Sequence, residues 1–373
     1  MTDSRPRPRE CGLHLGKLPI GPHNAITDVD GVLVGHVTIM EGTGRITPGA
    51  GPFRTGVTVI RPHPGDVFRE KLPAATYVAN GFGKSVGLAQ VDELGVIESP
   101  IALTGTLNVG LVADGLVEHA ISTNPDIGIG TTSFNPVVGE CNDGQLSDLQ
   151  GRPVTREHVL SAIEGAVSGP VEEGVVGAGT GMVLHGFKGG IGTASRKLSG
   201  ELGSYTVGVL VLGNFGRRDQ LVIAGVPVGE HLLDWEPAPD VPESGSIMIV
   251  VATDAPMLDR PLRRMARRVP LGLARTGSII GHGSGDFVIA FSAAQRIPHY
   301  PEGNVLDLRQ IVEHGRLIDG LFQAVVEATE EAVVSALFAS TTVEGRDGNL
   351  RHGLPLDETL TLLDPAGRLR HEQ

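Results

Sequence analysis

The sequence contains few aromatic residues, only two cysteines and more acidic than basic side chains. Aromatic residues make up 4% of its 373 residues, which argues against the base-stacking platforms of proteins that bind single-stranded nucleic acid. The formal net charge of -13 repels nucleic acid phosphates and anionic lipids. Cys11 and Cys141 are too few for a disulfide framework and form no Cys-x-x-Cys metal pair. We therefore expect no nucleic acid and no membrane among its partners.

Long hydrophobic runs and targeting signals are also missing. The N-terminal stretch MTDSRPRPRE lacks the apolar segment of a signal peptide, and no apolar run approaches the ~18 residues of a membrane span. The 13 histidines form neither His-x-His nor His-Glu-x-x-His, so their pattern predicts no metal site. We expect a cytoplasmic protein that uses no metal and no cofactor.

Three familiar catalytic or nucleotide-binding motifs are incomplete. The stretch NGFGKS (Asn80 to Ser85) resembles the end of a phosphate-binding loop, but Val78 stands where that motif requires glycine. GAGTGM (Gly177 to Met182) lacks the third glycine of a dinucleotide-binding fingerprint. GHGSGD (Gly281 to Asp286) is one residue out of register with the Gly-x-Ser-x-Gly elbow that anchors a Ser-His-Asp triad. The 53 glycines are therefore expected to serve tight turns and close backbone approaches.

Hydrophobic periodicity predicts strands and helices in an irregular order. Residues 26–39 favour a strand-turn-strand unit, and residues 204–215 and 286–294 favour buried strands. Residues 81–95 carry apolar side chains at helical spacing, and residues 307–340 form a long helical pattern. Strands and helices do not alternate strictly, so the sequence predicts an α/β protein with mixed sheets covered by helices.

A Pro-rich, acidic stretch precedes one Gly-Ser pair. Residues 230–244 read EHLLDWEPAPDVPES and are the best linker candidate in the chain. They are followed by Gly245, Ser246 and the apolar run Ile247 to Val251. The pair has two interpretations: the ordinary start of a buried strand, or a scissile bond. Gly-Ser pairs also occur at 203–204, 277–278 and 283–284, so the pair alone does not decide.

The scissile interpretation has a definite chemistry. Breaking the 245–246 bond would give Ser246 a free α-amine beside its own hydroxyl. An α-amino group has a pKa near ~7.7–8.0, so part of it is a free base at neutral pH and accepts the hydroxyl proton directly or through water. Glycine at 245 suits the strained backbone through which Oγ would attack the preceding carbonyl. This amino-terminal nucleophile mechanism requires no histidine.

Ten stretches, read in order, resemble the L-aminopeptidase/D-Ala-esterase-amidase (DmpA-type) family, which includes the β-peptidyl aminopeptidases. The resemblance runs from about Gly16 to the C-terminus and rests on these motifs: AITDVDGVLVGHVTI, TVIRP, NGFGK, ELGVIESPIALTGTLNVG, PVVGECNDGQLSD, GAGTGM, KGGIGTASR, VLVLGNFG, SGSIMIVVATDAP and GHGSGDFVIAFSAA. It implies an αββα sandwich similar to the ornithine acetyltransferases. It also implies one domain over 1–373 that cuts itself into a large 1–245 piece and a small 246–373 piece.

The resemblance implies roles for seven residues. Gly245 and Ser246 flank the cut, and Ser246 is the nucleophile. Asn214 matches an oxyanion-hole asparagine. Ser284 and Asp286 match a second serine and a carboxylate that hold the Ser246 amine and hydroxyl, although relatives have glutamate at the latter. Glu140 matches the carboxylate that binds the substrate ammonium group, with a turn-capping loop acid as the alternative. Asn142 stands where some relatives have a tyrosine that donates to the oxyanion.

The sequence therefore predicts a self-processing serine aminopeptidase acting through an acyl-enzyme on aminoacyl peptides, amides or esters. The resemblance further implies a homotetramer of processed heterodimers. Two alternatives remain: an acyl transferase that uses the same acyl-enzyme, and an uncut relative that serves only in binding. The presence of Asn214, Ser246 and Ser284 argues against the second.

Overall fold

The computed structural model describes residues 5–235 and 245–370. Within these ranges the helices are α1 (Leu88–Leu94), α2 (Val109–Thr123), α3 (Arg156–Glu164), α4 (Val228–His231), α5 (Asp259–Ala266), α6 (Val269–Ala274), α7 (Arg316–Ala339) and α8 (Leu356–Leu363). The strands are β1 (Leu33–Glu41), β2 (Phe53–Arg61), β3 (Glu70–Gly81), β4 (Val96–Ile97), β5 (Ile101–Gly105), β6 (Val137–Cys141), β7 (Val183–Leu184), β8 (Phe187–Lys188), β9 (Gly190–Lys197), β10 (Thr206–Asn214), β11 (Ser246–Thr253), β12 (Gly285–Ser292), β13 (Ile297–Pro298), β14 (Val343–Glu344) and β15 (Leu350–Arg351).

Two mixed β-sheets form the frame of the molecule. The larger sheet has the strand order β13-β3-β12-β11-β10-β9, with β4 paired to β3, and the smaller sheet has the order β1-β2-β5-β6. The pairs β11–β12 and β5–β6 are parallel, whereas β10–β11 and β1–β2 are antiparallel. The central strands β10, β11 and β12 are buried along their whole length, as expected for strands covered on both faces.

The alternation of side chains along these strands divides the core into layers. Odd positions of β11 such as Ile247 and Ile249 pack with α5, α6 and α7 in one cluster. Even positions such as Met248 and Val250 pack against the smaller sheet in a second cluster. A third cluster lies between the smaller sheet and helices α2 and α3. The order is helix, sheet, sheet, helix, which confirms the expected αββα sandwich of mixed sheets.

Several local predictions needed correction. Residues Ile26–Asp28 form a 3-10 helix rather than the first strand of a hairpin, because their backbone turns back toward β9 and β10 instead of pairing. The helix expected over 81–95 begins only at Leu88, after the left-handed Gly87. The long helix begins at Arg316, directly after the left-handed Gly315. Of the proposed linker 230–244, residues 236–244 lie outside the described residues.

A buried ionic cluster joins β9 to α7. The guanidinium of Arg196 is fully buried and lies 3.2 Å from the carboxylate of Glu327 and 2.6 Å from that of Glu331. Glu331 also accepts hydrogen bonds from Arg9, at 2.6 Å, and from the side chain of Asn24, at 2.6 Å. The cluster therefore holds the N-terminal segment, β9 and α7 together.

No helix in the described residues is long and apolar enough to cross a membrane.

Candidate active site

Ser246 is the first residue of β11 and lies between two strand ends. It is opposite Asn214, the last residue of β10, and opposite Gly285, the first residue of β12. Its side chain is on the even-numbered face of β11 and faces the end of β6; the residue is 3% exposed. By contrast, Ser204 of the Gly203-Ser204 pair is exposed. Burial at the junction of two sheets distinguishes Ser246 from an ordinary surface serine.

Two hydrogen-bond donors converge on the Ser246 hydroxyl. The main-chain N–H of Asn142 donates to Oγ at 3.2 Å, and Nδ2 of Asn214 donates to Oγ at 3.3 Å. The Asn214 amide is oriented at both ends, since Oδ1 accepts from the N–H of Val183 at 2.8 Å and Nδ2 donates to the carbonyl of Asn142 at 3.1 Å. A carbonyl carbon attached to Oγ would carry its oxygen beside the same two donors, which is the arrangement of an oxyanion hole.

The Asn142 side chain takes part in its own turn. Its Oδ1 accepts from the N–H of Gly144 at 2.9 Å, and among the described residues no hydrogen bond joins its Nδ2 to Ser246, so a role of this side chain toward the substrate stays a prediction. The contact with Oγ comes from the main-chain N–H, which any residue except proline supplies. Sequence reasoning missed this donor because a main-chain group leaves no signal in residue type.

Gly245 lies where a side chain would be crowded. A Cβ at this position would be 3.0 Å from both Cα and Cβ of Phe215. The close approach of Phe215 therefore favours glycine at this position, and the strained backbone expected from the sequence stays a prediction. The Gly245 carbonyl accepts a hydrogen bond from the N–H of Gly285 at 3.2 Å, so a donor already polarises the carbonyl that precedes Ser246.

Ser284 and Asp286 form a buried pair on either side of Gly285. The Ser284 hydroxyl donates to Oδ1 of Asp286 at 2.7 Å, whereas Oδ2 is buried without a partner. Burial raises the pKa of Asp286 to about 6, against the opposing effect of the Ser284 hydrogen bond. The main chain of Ser284 is held by Asn80, whose Nδ2 donates to the carbonyls of Ser284 and, at 3.0 Å, of His282.

This pair does not contact the Ser246 side chain in the uncut chain. Asp286 is paired with Ile247, so strand alternation directs the side chains of Asp286 and Ser246 to opposite faces of the sheet. Within the described residues no side-chain hydrogen bond joins Ser284 or Asp286 to Ser246. The contact of Ser284 and Asp286 with the amine and hydroxyl of Ser246, which the resemblance implies, therefore stays a prediction.

Glu140 lies near the end of β6 with one free carboxylate oxygen. Its Oε1 accepts from the N–H of Lys84 at 2.9 Å, and Nζ of Lys84 is 4.0 Å away. Its Oε2 is buried without a partner. Burial raises the pKa of Glu140, with the Lys84 contacts and the nearby Thr106 hydroxyl acting in the opposite direction. A buried carboxylate oxygen that lacks a donor is a suitable acceptor for an ammonium group.

Over residues 5–235 and 245–370, no group of three or more His, Cys, Asp or Glu side chains is arranged to hold a metal ion. What the strand ends bring together is a serine hydroxyl, two oxyanion donors and a free carboxylate oxygen. Such a site suits acyl transfer to serine from a substrate with a positively charged amino group.

Comparison with known proteins agrees with this chemistry. The family model "Peptidase family S58" matches residues 24–351. The β-peptidyl aminopeptidase BapA of Sphingosinicella xenopeptidilytica is 43% identical over 371 residues, covering 96% of this chain and 91% of that protein. The crystal structure of the PH0078 protein from Pyrococcus horikoshii OT3 superposes with a TM-score of 0.93 at 49% identity, covering 98% of this chain and 100% of that one.

A second solved structure is the L-aminopeptidase D-Ala-esterase/amidase from Ochrobactrum anthropi, a prototype for the serine aminopeptidases with a variant of the Ntn hydrolase fold. It superposes with a TM-score of 0.90 at 38% identity and covers 98% of this chain and 100% of that one. Fold and site thus define a serine-type aminopeptidase, a hydrolase. The chain belongs to peptidase family S58, which confirms the resemblance seen in the sequence.

Proposed function

We propose that this aminopeptidase cuts its own Gly245–Ser246 bond and then uses Ser246 as its catalytic nucleophile. The observation that carries the proposal is the convergence of the Asn142 N–H and the Asn214 amide on Oγ of Ser246. In the cut, Oγ forms an ester with the Gly245 carbonyl carbon while the C–N bond to Ser246 breaks and its nitrogen takes up the hydroxyl proton. Water then hydrolyses the ester and releases the Gly245 carboxylate.

The new α-amine of Ser246 becomes the base for turnover. It is a main-chain nitrogen opposite Gly285, and Ser284 and Asp286 flank that glycine. Oδ2 of Asp286 has no partner in the uncut chain, so it is available to a new ammonium or amine. Ser284 and Asp286 therefore act on the amine, while Asn142 and Asn214 act on the oxygen that Ser246 attacks.

Substrates are aminoacyl peptides, amides or esters with a free amino group. The support is Oε2 of Glu140, a buried acceptor without a donor on the strand that ends beside Ser246. A free N-terminal ammonium would satisfy this oxygen and fix the first carbonyl of the substrate relative to Oγ. By name, one relative is a β-peptidyl aminopeptidase and another is an L-aminopeptidase and D-Ala-esterase/amidase, so p-nitroanilides of L-Ala, D-Ala and β-Ala form the first substrate panel.

The test is the intact mass of purified wild-type protein beside Ser246→Ala. The whole chain has a mass of 39.0 kDa. Scaled by residue number, a cut before Ser246 gives fragments of roughly 26 and 13 kDa, as the nucleophile mechanism requires. Two fragments in the wild type and one chain in Ser246→Ala support the proposal. A single full-length mass in both, without turnover of the panel, overturns it and favours an uncut binding protein.

An added amine separates hydrolysis from acyl transfer. The acyl-enzyme reacts with water to give the free amino acid, or with the amine to give a new amide. We expect hydrolysis to dominate at low amine concentration.

We also propose the homotetramer of processed heterodimers that the family resemblance implies, and light scattering of the processed protein measures its mass directly.

A further inference from the structure

Lys188 is a fully buried lysine without a carboxylate partner. Its Nζ donates to three carbonyl oxygens, those of Gly179 at 2.9 Å, Met182 at 2.9 Å and Gly189 at 2.6 Å. Three acceptors match the three N–H groups of an ammonium, whereas a neutral amine has only two. Burial lowers the pKa of Lys188 to about 7. A charged group in such a place is costly unless its hydrogen bonds are complete, as they are at this nitrogen.

One of these carbonyls belongs to the peptide group that holds Asn214. The carbonyl of Met182 and the N–H of Val183 are the two ends of a single peptide unit. That N–H donates to Oδ1 of Asn214 at 2.8 Å, and Nδ2 of the same amide donates to Oγ of Ser246. A continuous path therefore leads from the Lys188 ammonium through one peptide and one side-chain amide to the Ser246 oxygen.

The path has two physical effects. A cation at the Met182 oxygen polarises the peptide and strengthens its N–H as a donor, because hydrogen bonds in a chain reinforce one another. The same contact fixes the Val183 N–H in direction, so that the amide oxygen of Asn214 faces Val183 and its NH2 group faces Ser246. Reversal of that amide would remove its donor from the oxyanion hole.

We propose that Lys188 is a positioning residue for the oxyanion hole, acting on Asn214 through the Met182–Val183 peptide. The inference rests on the proposed function, because it assumes that Asn214 stabilises the oxyanion formed at Ser246. It adds a residue that touches neither the substrate nor the reacting atoms. Its effect cannot exceed the loss caused by removing the Asn214 amide.

The test is a double-mutant cycle on kcat and KM with the best substrate of the panel. The four proteins are wild type, Lys188→Met, Asn214→Ala and the double variant. We expect Lys188→Met to lower kcat about 10- to 100-fold with KM changed less than about threefold, a smaller loss than the ~10²–10³-fold that follows removal of one whole oxyanion donor. In the Asn214→Ala background the same substitution should change kcat less than about twofold, because the group it acts through is gone.

Ser340→Ala is the matched control. The Ser340 hydroxyl donates to the Gly189 carbonyl at 2.8 Å. This variant therefore removes a donor from one carbonyl that Lys188 holds, and it leaves in place both donors to the Met182 carbonyl, which are Nζ of Lys188 and the N–H of Gly189. We expect its kcat to stay within about twofold of wild type. A loss as large as that of Lys188→Met, or a full loss from Lys188→Met in the Asn214→Ala background, overturns the inference.

Folding and processing are measured on the same proteins. If Lys188→Met is not recovered folded by circular dichroism and thermal unfolding, Lys188→Gln replaces it and is judged by the same cycle. If a variant stays uncut, the rate of self-cleavage replaces kcat. An uncut and inactive wild type overturns the proposed function and this inference together, whereas an active wild type with additive effects overturns the role of Lys188 alone.

Discussion

The amide nitrogen of Asn214 lies 3.3 Å from Oγ of Ser246, on two neighbouring antiparallel strands in which these residues are directly opposite each other. The position of the amide is thus set by backbone pairing, and its orientation is set by the N–H of Val183. If Asn214 acts on the oxyanion as proposed, a donor supported in this way needs no movement to meet the developing charge.

Removing this donor should slow catalysis much more than it weakens binding. We expect Asn214→Ala to lower kcat by about 10²–10³-fold with little change in KM, since the amide acts on the transition state. Asn142→Ala is the control, because Asn142 contributes its main-chain N–H and should stay within about threefold of wild type. Steady-state kinetics on an aminoacyl p-nitroanilide measures both. Equal losses in the two variants would contradict the assignment of the donors.

Glu140 should act on the substrate ammonium through its charge. Glu140→Gln keeps an acceptor for the Lys84 N–H but loses the carboxylate, so we expect kcat/KM to fall about 10- to 100-fold, mainly through KM, as for a lost charged hydrogen bond of ~1.5–3 kcal/mol. Lys84→Met is the control, since the Lys84 side chain is 55% exposed and its Nζ is 4.0 Å from the carboxylate. A change in kcat alone would assign Glu140 to another role.

Asp286 should make the stability of the uncut chain depend on pH. Its pKa is raised by folding to about 6, so the folded chain binds this proton more tightly than the unfolded chain, and the free energy of unfolding falls as pH rises from about 4 to about 6. We therefore compare Asp286→Asn with its parent, both in a Ser246→Ala background. From pH 4.5 to pH 7.5 the difference in their free energies of unfolding should shift in favour of Asp286→Asn, by at most about 2–3 kcal/mol.

Urea unfolding at the two pH values measures this change. Asp307→Asn, at an exposed position, is the matched control and should keep a constant difference from its parent. If Asp286→Asn also keeps a constant difference, the buried carboxyl does not titrate in this range.

The buried ionic cluster should be important for stability and not for catalysis. Arg196→Met leaves Glu327 and Glu331 without their buried partner, and we expect a loss of about 3–5 kcal/mol. Arg260→Met breaks an ion pair in which the Arg260 guanidinium lies 2.6 Å from the Glu313 carboxylate, and the Arg260 side chain is 74% exposed. This variant should lower the free energy of unfolding by less than about 1 kcal/mol. Urea unfolding in the Ser246→Ala background compares the two. Similar losses in both would mean that the cluster is not a main support of the fold.

Much of the architecture was predictable because it rests on patterns of side chains. Residues 204–215 and 286–294 lie over β10 and β12, since long β-branched and apolar runs are typical of strands covered on both faces. The family motifs gave roles to Ser246, Asn214 and Glu140, and these roles stay predictions. The 3-10 turn at Ile26–Asp28 was missed because its apolar side chains enter the core without strand pairing.

The remaining features depend on main-chain geometry and register. The donor from Asn142 is an N–H group, and the support of Asn214 by Val183 is a contact between distant segments, so neither leaves a trace in residue type. The separation of Asp286 from the Ser246 side chain follows from the pairing of Ser246 with Gly285. Motif spacing gives no information about strand register, because the register is fixed only when the strands pair.

The strand order of the larger sheet has a consequence for the two proposed fragments. Strands β11, β12 and β13 belong to the C-terminal piece, whereas β3, β9 and β10 belong to the N-terminal piece, and the order β13-β3-β12-β11-β10-β9 interleaves them. The N-terminal strand β3 lies between two strands of the other piece. A cut before Ser246 would thus produce two polypeptides that share one sheet and separate only by unfolding. Each would have folded while it was still joined to the other.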